Sequence, residues 1–152
     1  MLIALPLLLI PVVLYNIVVL SSLIGGGSEA TMAAGGADAI LREPMFSIPM
    51  ASGTSWNVGP GDLILLLSLI LLFFELLKST SSQKVAIVNH ALSMILFVAV
   101  LVEFLLIKGF ATSTFFLTVV MVMLDVLAGL IVTIISARKD LDFGGVAQLK
   151  AT

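Results

Sequence analysis

A single acid, Asp125, stands at the middle of an apolar run, Thr114 to Ser136, that is long enough to cross a bilayer. Glu75 lies in a second such run, Tyr15 and Asn16 in a third, and His90, the only histidine, in a fourth. Counting inward at 1.5 Å per residue from the ends nearer the long loop puts Asp125 roughly 16 Å deep, Glu75 about 20 Å, and Tyr15 and Asn16 about 13 Å. These four form a candidate intramembrane polar cluster, with two carboxyl groups and no Lys or Arg at the same depth. Protons and small cations are the species such a cluster handles. The competing reading is structural: Asp125 hydrogen-bonds Asn16 or Tyr15 as interhelical glue, while Glu75 snorkels to Lys78 or Lys84. Sequence alone favours glue, which asks for fewer coincidences.

Thr114, Thr118, Met121, Asp125, Gly129 and Ser136 recur at helical spacing, so they share one stripe while Phe116, Val120, Leu124 and Ile131 cover other faces. A small and hydroxylated stripe suits contact between helices, because it lets backbones approach closely. Asn89, Ser93, Val100 and Glu103 make a second stripe on the neighbouring run. Its long apolar gap reads as a packing face, and Glu103 is near enough to Lys108 to pair with it at the interface.

His90 could ligate haem only with a partner from another subunit, and a zinc or di-iron site would need donors where Ala86 and Met94 stand one turn away. A haem or quinone role therefore comes third among the functional readings. No cofactor and no metal are expected, and the absence of cysteine removes thiol catalysis, disulfides and iron-sulfur ligation. Gly59-Pro60-Gly61-Asp62 matches the GxGD signature of intramembrane aspartyl proteases. Those enzymes need two aspartates within a few ångströms, and Asp125 at mid-depth does not meet Asp62 at a helix start. Gly25-Gly26-Gly27 lacks the strand before it and the Gly-Lys-Ser/Thr after it that a phosphate loop needs. The chain is accordingly read as non-enzymatic.

The elements that carry these residues follow from composition. Lys and Arg number 7 and Asp and Glu 9 among 152 residues, 61% of the chain is hydrophobic and the mean hydropathy is +1.28, which belongs to a protein solvated by lipid. The expected fold is all-α: a polytopic membrane protein built as an antiparallel bundle of four transmembrane helices in one domain. The spans are residues 2–24, 62–79, 85–107 and 114–137, with a long external loop over 25–61 and a cytoplasmic tail over 138–152 too short to fold alone. The first run has no Lys or Arg before it, so it reads as a retained span and not a secretory signal. Pro6 is expected in its first turn and Pro11 as an interior kink.

Within the loop, Asp38 is placed to cap a helical turn that Pro44 stops, and Asp62 to cap the second span. Met45, Phe46, Ile48, Met50 and Trp56 are too apolar for a freely solvated loop, so the segment should lie on the bundle or in the headgroup layer. Lys78, Lys84, Arg138, Lys139 and Lys150 fall on one side of the four spans, and Arg42 and Lys108 on the other. The positive-inside rule then puts both termini in the cytoplasm, and a cell or inner membrane is the expected location.

The lipid bilayer is the expected partner, with other membrane subunits or self-association beside it, and the sparse charge gives no nucleic-acid surface. Two classes of function remain. One is an accessory or structural subunit of a larger complex, or a homo-oligomer; its rival is a small proton- or cation-handling transporter or channel component using Asp125.

Overall fold

In a computed structural model the chain is mostly helical, 78%, and residues 5–24, 36–79 and 83–149 are described. Outside them lie residues 2–4 of the first expected span, Gly25-Gly26-Gly27 and the loop through Gly35, the turn at 80–82 and residues 150–152 of the tail. The side chains of Lys84, Ser136 and Lys139 are likewise not described.

Four helices of more than one turn pair run in order: α1 (Leu9–Ile24), then, after the short α2 (Gly36–Arg42), α3 (Pro60–Ser79), α4 (Gln83–Leu106) and α5 (Ser113–Leu149). Among the described residues, three of these helices contain stretches long and apolar enough to cross a membrane: Pro60–Lys78, Ile87–Leu106 and Ser113–Ile135. Their outward residues are large and apolar, including Leu66, Phe73, Ile95, Leu105 and Ile131, as a lipid solvent requires. The chain is a helical membrane protein on these grounds.

The first expected span is shorter than its hydrophobic run. α1 has 16 residues, which is about 24 Å against a hydrocarbon core of about 30 Å. Its start is delayed because Leu7 gives its backbone N–H to the Glu75 carboxylate, at 2.6 Å, and not to a helix carbonyl. Pro11 consequently falls in the first turn of α1, where a missing N–H costs nothing. The expected interior kink is thereby corrected to an ordinary helix start.

α5 differs in the opposite sense. It has 37 residues and runs through Arg138, Lys139 and Asp140 to Leu149, so the expected tail is a continuation of the last helix. Propagating an existing helix needs no new nucleus, and Gly144 and Gly145 do not stop it.

α5 packs against both α3 and α4, which touch each other much less. α1 runs from the α3–α4 turn end of the molecule toward the opposite, loop end. Lys78 donates to the Leu5 carbonyl at 2.6 Å at the turn end, while Tyr15 meets Gly109 and Thr112 at the loop end. The shared core comprises Leu8, Val12, Ile64, Leu72, Leu96, Val100, Val119 and Val122, among others.

The connection between α1 and α3 is structured. α2 lies across the loop end with Ala37 and Leu41 buried in the core, and its Asp38 pairs with Arg42 one turn on at 2.8 Å. A two-stranded antiparallel sheet follows, β1 (Phe46–Pro49) with β2 (Ser55–Val58), so the fold is not purely α. Glycine-proline punctuation masked this hairpin in the sequence. Asp62 is the third residue of α3, and its carboxylate accepts from the Gly59 N–H at 2.9 Å, one half of a capping box. A methyl group at Gly59 would stand 2.6 Å from the Leu41 carbonyl oxygen, and one at Gly61 2.9 Å from Thr114 Oγ1. Glycine at both positions lets α2 and the start of α5 close onto α3.

Candidate functional site: a buried polar layer between three helices

Between Asp62 and Lys78, α3 is nearly pure Leu, Ile and Phe, with Ser68 and Glu75 as its two buried polar residues. Glu75, wholly buried, is the acceptor at the centre of a network. It takes the Leu7 N–H from the turn before α1, the Asn89 side-chain amide from α4, and an ion pair from Lys78 at 3.0 Å on its own helix. The pairing with Lys78 expected from sequence is present, but inside the protein and not as a surface snorkel. A carboxylate taken out of water persists only when its lone pairs are filled this way.

α4 presents three consecutive inward groups at helical spacing. Asn89 reaches Glu75 on α3; Ser93, one turn on, is the polar neighbour of Asp125 on α5; His90 packs into Gly129, also on α5. Asp125 and Gly129 are one turn apart on the small stripe, and Glu75, Lys78 and His90 all lie within electrostatic range of Asp125. Counting from Gln83, Asn89 is about 9 Å and Ser93 about 15 Å from the turn end, which sets the layer inside the membrane-spanning part.

Hydrogen bonding in this layer is incomplete. Asn89 Oδ1, His90 Nδ1, Ser93 Oγ and Asp125 Oδ2 are buried without a hydrogen-bond partner, although Ser93 and Asp125 are close enough to interact. Buried polar groups are nearly always paired, and each orphan costs about 1–3 kcal/mol. Four on adjoining turns of two helices concentrate unused donor and acceptor capacity at one point.

Compared with models of protein families, with curated proteins and with solved structures, the chain matches none of them. What the site does must be read from its chemistry.

The other members of the expected cluster are elsewhere. Tyr15 hydrogen-bonds Thr112 Oγ1 and the Gly109 carbonyl, and its ring packs at 4.6 Å from Phe115 and 5.5 Å from Phe110. Asn16 bonds the Val12 carbonyl at 3.0 Å and Glu103 at 3.4 Å, so Glu103 takes Asn16, and not Lys108, as its partner. The expectation that Tyr15 and Asn16 join Asp125 is therefore corrected. The ruler assumed that α1 ends level with α3 and α5, whereas the Leu5 and Leu7 contacts fix its register and carry both residues toward the loop end. Asn89 and Ser93 take their place.

Of the stripe on α5, Thr118 is fully buried and Asp125 4% exposed, while Thr114, Met121 and Gly129 are half-buried. Thr118 returns its hydroxyl to the Thr114 carbonyl, and Ser68 on α3 does the same to Ile64, each about 10 Å along its helix from the nearer acid. Both sets of hydroxyls extend the polar line toward the loop end, with Leu72 and Val122 as the apolar interval. Among the described residues no group of three or more His, Cys, Asp and Glu side chains is arranged to hold a metal ion.

Gly129 has a specific task. A methyl group there would lie 2.6 Å from His90 Nδ1, 3.2 Å from Cγ and 3.4 Å from Cβ, so the ring occupies the space that glycine leaves. Gly129→Ala is expected to lower stability in detergent by about 1–3 kcal/mol through overpacking, with His90→Ala in the same chain restoring most of the loss. Thermal unfolding of the two single variants and the double variant measures the coupling. Additive losses would mean that the ring and the glycine do not constrain each other.

Proposed function

We propose that the protein is a non-enzymatic, multi-pass membrane component that handles protons through the layer formed by Glu75, Asn89, His90, Ser93 and Asp125. The reading rests on four buried, unpartnered polar atoms, one of them Asp125 Oδ2 itself, in the layer that holds the Asp125 and Glu75 carboxyl groups. A purely structural polar network satisfies its members, since a half-satisfied one is worse than an apolar core. Spare capacity beside an acid suits a group that must gain and lose a proton without rearranging the backbone. Asp125 is the proton-binding carboxyl in this scheme, and Glu75, held by Lys78 and Asn89, is the neighbouring acid that anchors the layer. In the membrane, α1 together with the residues before it makes a fourth pass, the segment between α1 and α3 is external, and the Lys- and Arg-rich side with both termini is cytoplasmic. Proton flux into vesicles carrying the purified chain, with and without Asp125→Asn, is the test.

A second reading, a subunit of a larger complex or a homo-oligomer, draws on a different feature. A largely apolar groove of about 580 Å³ opens between α1 and the end of α4, lined by Val13, Ile17, Leu20, Leu106 and Phe110, with Asn16 and Lys108 as its polar members. Grooves of this kind accept a helix from a neighbouring chain. Native mass spectrometry from a mild detergent should then show a heteromeric assembly or a defined multiple of this chain. A single species at the monomer mass would count against it.

A further inference from the structure

The hairpin that the sequence concealed has two unlike faces. In its register Phe46 stands opposite Val58 and Ile48 opposite Trp56, while Ser47 pairs with Asn57 and Pro49 with Ser55. Since side chains alternate along a strand and directly opposed residues share a face, one side carries Phe46, Ile48, Trp56 and Val58 and the other Ser47, Pro49, Asn57 and Ser55. Val58 is buried at the root of the hairpin. Phe46, Ile48 and Trp56 are 48%, 40% and 51% exposed, and Met50 at the turn 47%. An isolated two-stranded sheet is marginal in water, and one with an uncovered apolar face needs a cover.

Three features identify that cover. From Pro44 to Gly61 the chain has no charged residue, so nothing on the hairpin opposes contact with a low-dielectric layer or seeks a charged partner. β2 ends two residues before Pro60, where α3 begins, and the outward apolar residues of α3 start at once with Leu63 and Leu66. The apolar face of the hairpin is thus continuous with the surface that lipid already covers. Both strands are edge strands with unpaired backbone groups, which forbids immersion in hydrocarbon and permits a shallow position where headgroup water still reaches the edges.

From these observations we infer that the β1–β2 hairpin is a lipid-binding element, laid on the headgroup–acyl boundary with Phe46, Ile48, Met50 and Trp56 directed into the bilayer. Its ligand is the zwitterionic or neutral lipid surface itself, because the hairpin carries no basic residue to select anionic headgroups. Anchoring the hairpin there holds α2, through the Leu41–Gly59 contact, as a lid on the loop end of the helices. The inference is independent of proton handling.

Trp56 is the only tryptophan of the chain, so its fluorescence reports on the hairpin alone. The full chain is reconstituted in phosphatidylcholine vesicles whose acyl chains are unlabelled, brominated near the headgroup, or brominated near the chain end. Emission is expected to fall roughly twofold or more with the shallow label, much less with the deep one, and to resist iodide present on both sides of the membrane. Phe46→Ser with Ile48→Ser should raise iodide access, whereas Asn57→Ser on the polar face should not. Stronger quenching by the deep label, or ready quenching by iodide without quenching by lipid, would overturn the inference. So would protection from both, since a second chain or another protein would then be the cover. The unmodified protein gives the decisive reading if the double variant fails to fold.

Discussion

Asp125→Asn is expected to reduce proton flux in proteoliposomes to the level of protein-free vesicles while leaving extraction and thermal unfolding close to those of the unmodified chain. The amide matches the carboxyl in size and keeps an acceptor oxygen toward Ser93, so a side chain that is 4% exposed need not repack. A change in stability below about 1 kcal/mol is the corresponding expectation for an isosteric exchange without a new cavity. What the amide cannot do is release a proton. Flux is driven by a potassium diffusion potential and read by a trapped pH dye, with sodium uptake followed in parallel because a cation carrier and a proton carrier both need the carboxylate. Loss of dye response without sodium movement supports the proton assignment. Loss of sodium uptake would reassign the site to a cation, and unchanged flux of either kind in the variant would leave Asp125 as interhelical glue. Ser93→Ala sharpens the reading, because Ser93 is an orphan hydroxyl whose removal should stabilise the protein slightly if it is only a misfit. A fall in flux with unchanged or improved stability is what a proton-relay role predicts.

The helices were legible because run length and 3.6-residue periodicity are strong signals in a lipid solvent, and α3, α4 and the membrane-spanning part of α5 lie within a few residues of the expected spans. The inward face of α5 was legible for the same reason: Thr118, Asp125 and Gly129 are where their spacing put them. Two things were not. Depth along a helix says nothing of the direction in which a residue points or of how helices slide past each other, so Tyr15 and Asn16 were assigned to Asp125 although the Leu7–Glu75 contact moves them to the loop end. Ser93 is the polar neighbour of Asp125 and Asn89 the partner of Glu75, and in the sequence their stripe carries only a packing signal. The hairpin hid behind Pro49 and the surrounding glycines, yet the alternation of Phe46, Ile48 and Met50 against Ser47 and Pro49, answered by Trp56 and Val58, was a period-two signal. The proline and glycine turn signals around the same residues outweigh it.

Glu75→Leu is expected to be the most destabilising single substitution in the layer, by about 3–5 kcal/mol, with loss of extractable protein at moderate temperature. Its side chain is wholly buried and ends three separate requirements at once: the Leu7 N–H that starts α1, the Asn89 amide and the Lys78 ammonium. Leucine fills the volume but takes the acceptor away from all three donors: the Lys78 ammonium keeps the Leu5 carbonyl, whereas the Leu7 N–H and the Asn89 amide lose the Glu75 carboxylate, and buried amides without that acceptor cost more than the burial of a methyl group returns. Glu75→Gln separates shape from charge. It keeps an acceptor for Leu7 or Asn89 and loses only the ionic part, so it should destabilise less, roughly 1–3 kcal/mol, as for a hydrogen bond to a charged group. Urea or thermal unfolding in one detergent orders the two variants. If leucine were tolerated as well as glutamine, the network would carry no weight in stability. The register of α1 against α3, and with it the position of Tyr15 at the loop end, would then have to be set by the apolar contacts of Leu8 and Val12 instead.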